Sequence, residues 1–344
     1  MLPIIKWSGG KSQELKHFSH KFPEKINRYI EPFLGGGSVY FYLDNKNSII
    51  NDINFEIISL YSIISSDRLN IFINYLNDIN NIRENINEYF KNVDEHEIDL
   101  IFNHEKTFIK INFNNMLDLL IMKSIKDKVK RIKNIENKEN KKFNKEELKE
   151  HIQTACQSAL YFYCRYIYNS GNKTDLEYYI ANWYYVREFC YSSMFRFSKE
   201  GKFNVPYGGI GYNNKNFKLK IDNLKNDNLI CLLKETKIEC LDFEKLFEKY
   251  NYFNKDDFIF IDPPYDSEFS QYNKEADFDK NEQVRLFNVL LKSPAKIMIV
   301  IKETDFIYNL YKNNFKIDAF DKKYLTNMRN RNNKDVKHLI ITNY

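Results

Sequence analysis

Short apolar runs that stop at a polar or glycine-rich signature occur near the start of the chain and again in its last third. The three clearest are Arg28–Glu31, Ser48–Asn51 and Phe258–Ile261. Four further runs have a similar character: Thr236–Cys240, Lys296–Ile301, Phe315–Phe320 and His338–Tyr344. Because these runs are short, end at Gly, Pro or Asp, and alternate with helical patterns, they predict buried parallel strands in an α/β sheet.

Between residues 61 and 230 the pattern changes to long helical segments rich in Asn, Lys and Tyr. Helical sequence placed between two sets of strands indicates a second lobe, which the chain enters from the sheet and leaves back to it. We therefore predict a catalytic domain formed by residues 1–60 and 230–344, and an inserted domain formed by residues 61–229.

The composition is that of a large folded protein. Of the 344 residues, 43% are hydrophobic and 16% aromatic, which is enough for a large core. No run of about 18 apolar residues exists and the N-terminus lacks the pattern of a signal peptide, so we expect a cytoplasmic protein without membrane contact. The five cysteines form no C-x-x-C pair, so we predict neither a disulfide framework nor a metal site.

Positive charge is concentrated in two stretches. The formal net charge is +5; residues 123–150 hold 11 Lys or Arg against 6 Asp or Glu, and residues 322–337 hold 6 against one. Basic surface gathered into patches is typical of a face that binds phosphates. The chain is rich in Lys and Asn throughout, however, so residues 123–150 are equally well explained as a solvated helical face.

The carboxyl ends of the predicted strands carry the first candidate binding residues. Open α/β sheets bind ligands at this edge, because the connecting loops leave the sheet there. Glu31-Pro-Phe-Leu-Gly-Gly-Gly-Ser38 is a glycine-rich turn whose backbone can approach a ligand closely. Asp52 ends the next strand, where a carboxylate accepts hydrogen bonds from ribose hydroxyls. Asp52 alone would also suit a helix cap, but the two features together favour a nucleoside-containing cofactor.

Trp7-Ser-Gly-Gly-Lys-Ser12 resembles the end of a phosphate-binding loop. That loop also requires a glycine five residues before Gly10, where this chain has Ile5, and no convincing strand precedes it. Nucleotide hydrolysis is therefore not predicted.

Asp262-Pro-Pro-Tyr265, directly after Phe258–Ile261, is the most specific pattern in the chain. The two prolines fix the backbone and carry no N–H donors, which leaves carbonyl acceptors beside a carboxylate. The lone pair of an exocyclic amine is delocalised into its ring, so such an amine is a poor nucleophile. Asp262 and the Pro263 carbonyl can accept its two N–H groups and turn the lone pair toward a methyl donor. Tyr265 can stack on a base flipped out of a duplex.

Four motifs, in their order along the chain, resemble those of the Dam-type (D12 class) DNA adenine N6-methyltransferases. They are Lys6-Trp-Ser-Gly-Gly-Lys11, Glu31–Gly37, Asn51–Asn54 and Asp262–Tyr265. The resemblance implies a Rossmann-like SAM-dependent methyltransferase sheet, mostly parallel with an antiparallel C-terminal strand, and an inserted helical target-recognition lobe. It implies methyl transfer from S-adenosylmethionine (SAM) to N6 of a flipped adenine in double-stranded DNA. The enzyme would act in a restriction-modification system, beside a cognate restriction endonuclease acting on the same site, or alone.

The resemblance also assigns roles to individual residues. Those expected to contact SAM are Trp7, Lys11, Glu31, Phe33, Gly35, Gly37, Asp52 and Asp262, with Asp242 and Phe243 beside its adenine. Catalysis is assigned to Asp262, Pro263, Pro264 and Tyr265. Arg196–Gly208 resembles the family's DNA-contacting hairpin. DNA contacts are expected from this hairpin and from the second basic stretch, through Arg196, Lys199, Lys202, Asn204, Tyr207, Arg329, Arg331 and Lys334.

Three departures from the family pattern concern the DNA site that is read. Ser198 replaces an expected Asn in the hairpin, residues 266–272 differ from those of enzymes that modify GATC, and residues 123–150 resemble an insertion. Cytosine C5 methylation is excluded, because no cysteine follows a proline. Cytosine N4 methylation and a catalytically inactive DNA-binding relative remain alternatives, although Asp at position 262 favours adenine over cytosine.

Overall fold

The structure, a computed structural model, describes residues 1–7, 9–104, 113–140, 142–264, 278–322 and 336–344. The helices are α1 (Leu15–Phe18), α2 (Ser38–Leu43), α3 (Phe55–Ile64), α4 (Leu69–Asn92), α5 (Glu95–His104), α6 (Asn115–Glu139), α7 (Lys145–Ser170), α8 (Leu176–Phe189), α9 (Phe217–Asn223), α10 (Asp227–Glu235), α11 (Phe243–Lys249), α12 (Lys280–Leu291) and α13 (Asp305–Tyr311). The strands are β1 (Tyr29–Glu31), β2 (Ser48–Asn51), β3 (Lys237–Glu239), β4 (Phe258–Ile261), β5 (Lys296–Lys302), β6 (Lys316–Lys322) and β7 (Val336–Thr342). Short 3-10 turns occupy Lys11–Gln13, Ser19–Lys21, Tyr191–Ser193 and Ile210–Tyr212.

In the described part of the chain, seven strands form a sheet in the order β3-β2-β1-β4-β5-β7-β6. Strands β1 to β5 pair in parallel with one another, whereas β7 runs antiparallel to both β5 and β6. The predicted α/β fold, mostly parallel with an antiparallel C-terminal strand, is confirmed. All seven predicted strands are present, with bounds within two residues of those expected.

Strand β4 shows why these strands have unbroken apolar sequences. All four of its residues are buried. Ile259 and Ile261 belong to a core that includes residues of α11, α12 and α13, while Phe260 stacks on Phe18 of α1 with ring centroids 5.6 Å apart. A strand that is covered on both faces is hydrophobic at every position, because neither set of side chains meets water.

The chain forms two compact units. Unit 1 comprises residues 1–66 and 226–344 and contains the sheet, and unit 2 comprises residues 67–225 and contains α4 to α9. The inserted domain is expected at residues 61–229, and its extent and its role in DNA recognition stay predictions.

Unit 2 is built on long amphipathic helices. The buried positions of α6 recur every three or four residues: Leu117, Ile121, Ile125, Val129 and Ile132. Most of the lysines between them are exposed, which favours a solvated helical face for this part of residues 123–150. Arg83 of α4 is fully buried, donates to the Gln157 side chain (3.0 Å) and the Tyr212 carbonyl (2.8 Å), and stacks over Phe189.

The cysteines and the other candidate metal ligands form neither disulfides nor a metal site among the described residues. All five cysteines are free thiols: Cys156, Cys164 and Cys190 are buried, and Cys231 and Cys240 are exposed. Among the described residues, no group of three or more His, Cys, Asp or Glu side chains is arranged to hold a metal ion. None of the helices that the structure describes is long and apolar enough to cross a membrane.

Candidate active site

A cleft lies at the carboxyl ends of β1, β2 and β4, which are neighbours in the sheet. Its empty volume is about 910 Å³, the open solvent at its mouth included. Nine of the residues expected at cofactor or substrate line it: Trp7, Lys11, Glu31, Phe33, Gly35, Asp52, Asp262, Pro263 and Pro264. Motifs that are far apart in sequence thus meet at the edge where α/β sheets bind ligands.

The glycine-rich loop between β1 and α2 lies against the Trp7 ring. Gly35 has a φ of +49°, and a Cβ placed on it would lie 2.7 Å from Cδ1 of Trp7. Any larger residue would therefore strain the backbone and clash with the indole. The Leu34 N–H donates to the Asn51 carbonyl (2.9 Å), which fixes the loop to the end of β2. Gly37, the N-cap of α2, does not line the cleft.

Glu31, the last residue of β1, lines the cleft with a carboxyl group that is tied to the protein. It is buried, and its Oε2 accepts hydrogen bonds from the Tyr29 hydroxyl (2.7 Å) and the Tyr40 N–H (3.1 Å). Burial raises the pKa of Glu31 well above its ordinary value, and the two hydrogen bonds oppose that shift only in part. Through these hydrogen bonds Glu31 ties the end of β1 to the start of α2.

Asp52 follows β2 and faces the glycine-rich loop. Its Oδ2 accepts from the Gly35 N–H (2.8 Å) and its Oδ1 from the Asn54 N–H (2.9 Å). Burial raises the pKa of Asp52 although both hydrogen bonds oppose the shift. The N-cap of α3 is Asn54, whose side chain accepts from the Ile57 N–H, so Asp52 is not the helix cap. Each carboxylate oxygen has a second lone-pair site, which suits a ligand hydroxyl.

Asp262, Pro263 and Pro264 leave β4 as an acceptor turn beside the cleft. Lys11 donates from Nζ to Asp262 Oδ1 at 2.5 Å and to the Gly9 carbonyl at 3.3 Å. Because Lys11 is only 2% exposed, water screens this ion pair weakly. A carboxylate has two oxygens, so Asp262 can keep this contact while it accepts a further N–H. Tyr265 lies outside the described residues.

Asp242 and Phe243 lie at the start of α11 and do not line the cleft. Arg285 of α12 donates to both oxygens of Asp242, at 2.9 and 2.8 Å. Burial alone would raise the pKa of Asp242, but the hydrogen bonds and charge of Arg285 hold it below its ordinary value. Phe243 packs against Phe33, a cleft residue, with ring centroids 5.6 Å apart. Phe243 thus supports a residue of the cleft wall, and the expected contact of Asp242 and Phe243 with the cofactor adenine stays a prediction.

Two residues of α12 that sequence reasoning missed contact the site residues. One is Arg285, described above, and the other is Gln283, whose buried side chain donates from Nε2 to the Pro264 carbonyl at 3.1 Å. A weak signal for Gln283 exists in the sequence. It shares the buried face of α12 with Leu286 and Leu290, where the helical pattern calls for an apolar residue.

Residues 196–208 of unit 2 form a hairpin. Phe197 and Phe203 bridge in antiparallel fashion, and Gly201 has a φ of +70° at the turn between them. Lys199 and Lys202 are exposed on either side of this turn, so both are accessible to a phosphate.

Two other residues of the hairpin are engaged within the protein. Arg196 donates from Nε to Asn204 Oδ1 (2.6 Å) and from Nη2 to the Asn204 carbonyl (2.7 Å). Tyr207 is buried and its hydroxyl donates to Asn213 Oδ1 (3.1 Å), so its expected contact with DNA stays a prediction. The remaining expected DNA contacts, Arg329, Arg331 and Lys334, lie outside the described residues.

Residues 7–328 match the family model described as D12 class N6 adenine-specific DNA methyltransferase. The chain is 29% identical to the Type II methyltransferase M.CviBI of Paramecium bursaria Chlorella virus NC1A, with 100% of both chains covered. It is also 29% identical to the Type II methyltransferase M.MjaIII of Methanocaldococcus jannaschii, with 99% of both covered. A shorter stretch of 61 residues, 18% of this chain and 22% of the relative, is 42% identical to the DNA adenine methylase of Escherichia coli.

Proposed function

The chain belongs to the D12 class N6 adenine-specific DNA methyltransferases, and from this membership we infer that it methylates adenine at a specific DNA site. We propose that SAM is the methyl donor and that the acceptor is N6 of an adenine flipped out of double-stranded DNA. The observation that carries the proposal is the shared cleft. The glycine-rich loop, Asp52 and the acceptor turn Asp262–Pro264 line it together.

The cleft residues have the chemistry that SAM requires. Asp52 has acceptor sites for ribose hydroxyls, and Trp7 and Phe33 provide aromatic surface for the nucleoside. The backbone between Gly35 and Gly37 has no side chains that would keep a ligand away. When bound, SAM supplies an electrophilic methyl group on a sulfonium centre.

The acceptor turn holds the adenine amine. Asp262 and the Pro263 carbonyl accept its two N–H groups, so the nitrogen lone pair turns out of conjugation and toward the methyl group. The ion pair with Lys11 holds the Asp262 carboxylate in its orientation. As N6 gains the methyl group from the donor sulfur it must release one proton, and the Asp262 carboxylate is the acceptor that we propose for it.

Asp262→Ala tests this assignment. We expect the rate of methyl transfer to fall by roughly 10² to 10³-fold, because one preorganised polar group is lost at the reacting centre. Duplex affinity should stay within a few-fold of wild type. Mass spectrometry of nucleosides from digested DNA measures N6-methyladenine, and Asp256→Ala, which removes an exposed carboxylate just before β4, is the matched control.

Different outcomes separate the alternatives. N4-methylcytosine in place of N6-methyladenine would make the enzyme a cytosine methyltransferase that uses the same acceptor turn. Folded wild-type protein that binds DNA but neither binds SAM nor modifies any base would be an inactive DNA-binding relative. An Asp262→Ala variant with near wild-type turnover would contradict the catalytic assignment itself.

We also propose that the enzyme works in a restriction-modification system. Support comes from the two relatives that match over essentially the whole chain, which are both named Type II methyltransferases. Its partner would be a restriction endonuclease that reads the same DNA site, and methylation by this enzyme would protect that site.

A further inference from the structure

Gln283 interrupts the apolar face of α12. The other buried positions on this face are Leu286 and Leu290. Gln283 is 0% exposed, so its amide has been removed from water completely. Burying an amide is unfavourable unless its polar atoms are hydrogen-bonded, and a leucine at this position would avoid the cost. Packing alone therefore does not account for glutamine here.

The Gln283 side chain makes one hydrogen bond that reaches the acceptor turn. Its Nε2 donates to the Pro264 carbonyl at 3.1 Å. Its Oε1 is buried and has no hydrogen-bond partner among the described residues. Among the described residues, only the NH2 group of the amide is hydrogen-bonded, and we attribute the glutamine at this position to that contact with the Pro264 carbonyl.

The acceptor turn needs a donor from elsewhere in the fold. Neither Pro263 nor Pro264 has a backbone N–H, so these residues can only accept hydrogen bonds. An unpaired carbonyl would leave the orientation of its peptide group unspecified. Because adjacent peptide groups share the Cα of Pro264, fixing the Pro264 carbonyl also restricts the direction of the Pro263 carbonyl.

Helix α12, which carries this donor, is held in place by its own contacts. Its N-cap, Asp279, accepts hydrogen bonds from the Asn281 and Glu282 N–H groups at 2.8 and 3.0 Å. Arg285, two residues after Gln283, ties the helix to α11 through Asp242. A side chain on a helix held at both points can position a neighbouring turn closely.

We propose that Gln283 is a positioning residue for methyl transfer, and this inference rests on the proposed function. By donating a hydrogen bond to the Pro264 carbonyl, Gln283 orients the turn so that the Asp262 carboxylate and the Pro263 carbonyl face the amine of the base. Gln283 acts through the turn and touches neither substrate nor donor.

Gln283→Leu and Gln283→Met test the proposal, because both fill the space without a donor. We expect the single-turnover rate of methyl transfer to fall by about 10 to 10²-fold, since small misplacements of a reacting group have effects of this order. The affinities for SAM and for duplex DNA should stay within about two-fold, because neither ligand contacts Gln283. Leu286→Ala is the matched control: it weakens the same helix face but leaves the turn untouched, so it should lower thermal stability without a comparable loss of rate.

Gln283→Glu adds a readout that a space-filling role cannot produce. A protonated carboxyl group can donate to the Pro264 carbonyl, whereas an ionised one cannot. The ratio of the variant's rate to the wild-type rate should therefore fall as pH rises through the pKa of the introduced group. Taking the ratio at each pH cancels the titration of the groups that both proteins share.

Two results would overturn the inference. One is a Gln283→Leu variant with wild-type single-turnover rate, and the other is a pH-independent rate ratio for Gln283→Glu. Both are distinct from failure of the proposed function, in which wild-type protein itself forms no N6-methyladenine in any DNA.

Discussion

Asp52 connects two parts of the cleft through its carboxylate. One oxygen holds the Gly35 N–H of the glycine-rich loop and the other holds the Asn54 N–H at the start of α3. The carboxylate is therefore preoriented before any ligand arrives. Burial raises its pKa, although both hydrogen bonds oppose the shift.

Asp52→Ala should weaken SAM binding by roughly 10 to 150-fold. The estimate corresponds to the loss of a hydrogen bond to a charged group, worth about 1.5–3 kcal/mol. Isothermal titration with SAM measures the effect. Thr304→Ala removes the N-cap of α13, a residue that does not line the cleft, and should cost stability without changing SAM affinity. Unchanged affinity in Asp52→Ala would mean that the carboxylate serves the loop alone.

The hairpin of residues 196–208 is held against α7 by hydrogen bonds to its second arm. Asn169 pairs with both the N–H and the carbonyl of Phe203, at 2.8 and 2.9 Å. Tyr161 and Arg165 both donate to the Val205 carbonyl. The three α7 residues are spaced by four positions, so they share one face of the helix. The hairpin is consequently a firm support for whatever its exposed residues contact.

Within the hairpin, Asn204 orients Arg196. Its side-chain oxygen and its backbone carbonyl accept hydrogen bonds from Nε and Nη2 of Arg196. The N–H groups at the end of the guanidinium then point outward as a pair, which is the geometry that reads O6 and N7 of guanine. Arg196→Ala and Asn204→Ala should therefore relax discrimination at the same base pair, by about 1–3 kcal/mol each and not additively. Sequencing of modified bases in plasmid DNA from cells that express each variant checks this.

The matched control for the hairpin is Lys202→Ala. It removes an exposed charge and should weaken DNA binding evenly across sequences. If Arg196→Ala and Asn204→Ala relax discrimination at two different positions, Asn204 reads a base of its own and does not orient Arg196.

The strands and the cleft motifs could be predicted because their signals are local. The buried run of β4 and the turn that follows it, Asp262–Pro264, are contiguous in sequence. Side-chain partners across helices leave no such signal. Arg285 binds Asp242 from 43 positions away, and Tyr207 packs on Tyr161 of α7. Contacts of this kind depend on how helices pack, which periodicity alone does not specify.

At the scale of the whole molecule, the net charge of +5 is small, so we expect DNA affinity to depend on how the charge is distributed. Neutralising Arg329, Arg331 and Lys334 together should lower the slope of log K against log salt by up to ~2.7, if each contacts a phosphate. Binding titrations at several salt concentrations measure the slope. Neutralising three exposed lysines of α6, namely Lys123, Lys126 and Lys130, is the control and should change the slope less. Equal slopes in wild type and in the variant that neutralises Arg329, Arg331 and Lys334 would mean that these residues do not contact phosphates.

The order of strands in the sheet also determines how long β1 waits for one of its partner strands during translation. Strands β1 and β2 have been translated by residue 51, yet β4, which pairs with β1 on its other side, begins at Phe258. At about 5–20 residues per second, the nascent chain waits on the order of 10–40 s for that partner. Meanwhile the ribosome produces residues 67–225, the uninterrupted segment that forms unit 2. An unpaired strand edge is a template for association with other chains, so the edge of β1 stays open to such association throughout this part of translation.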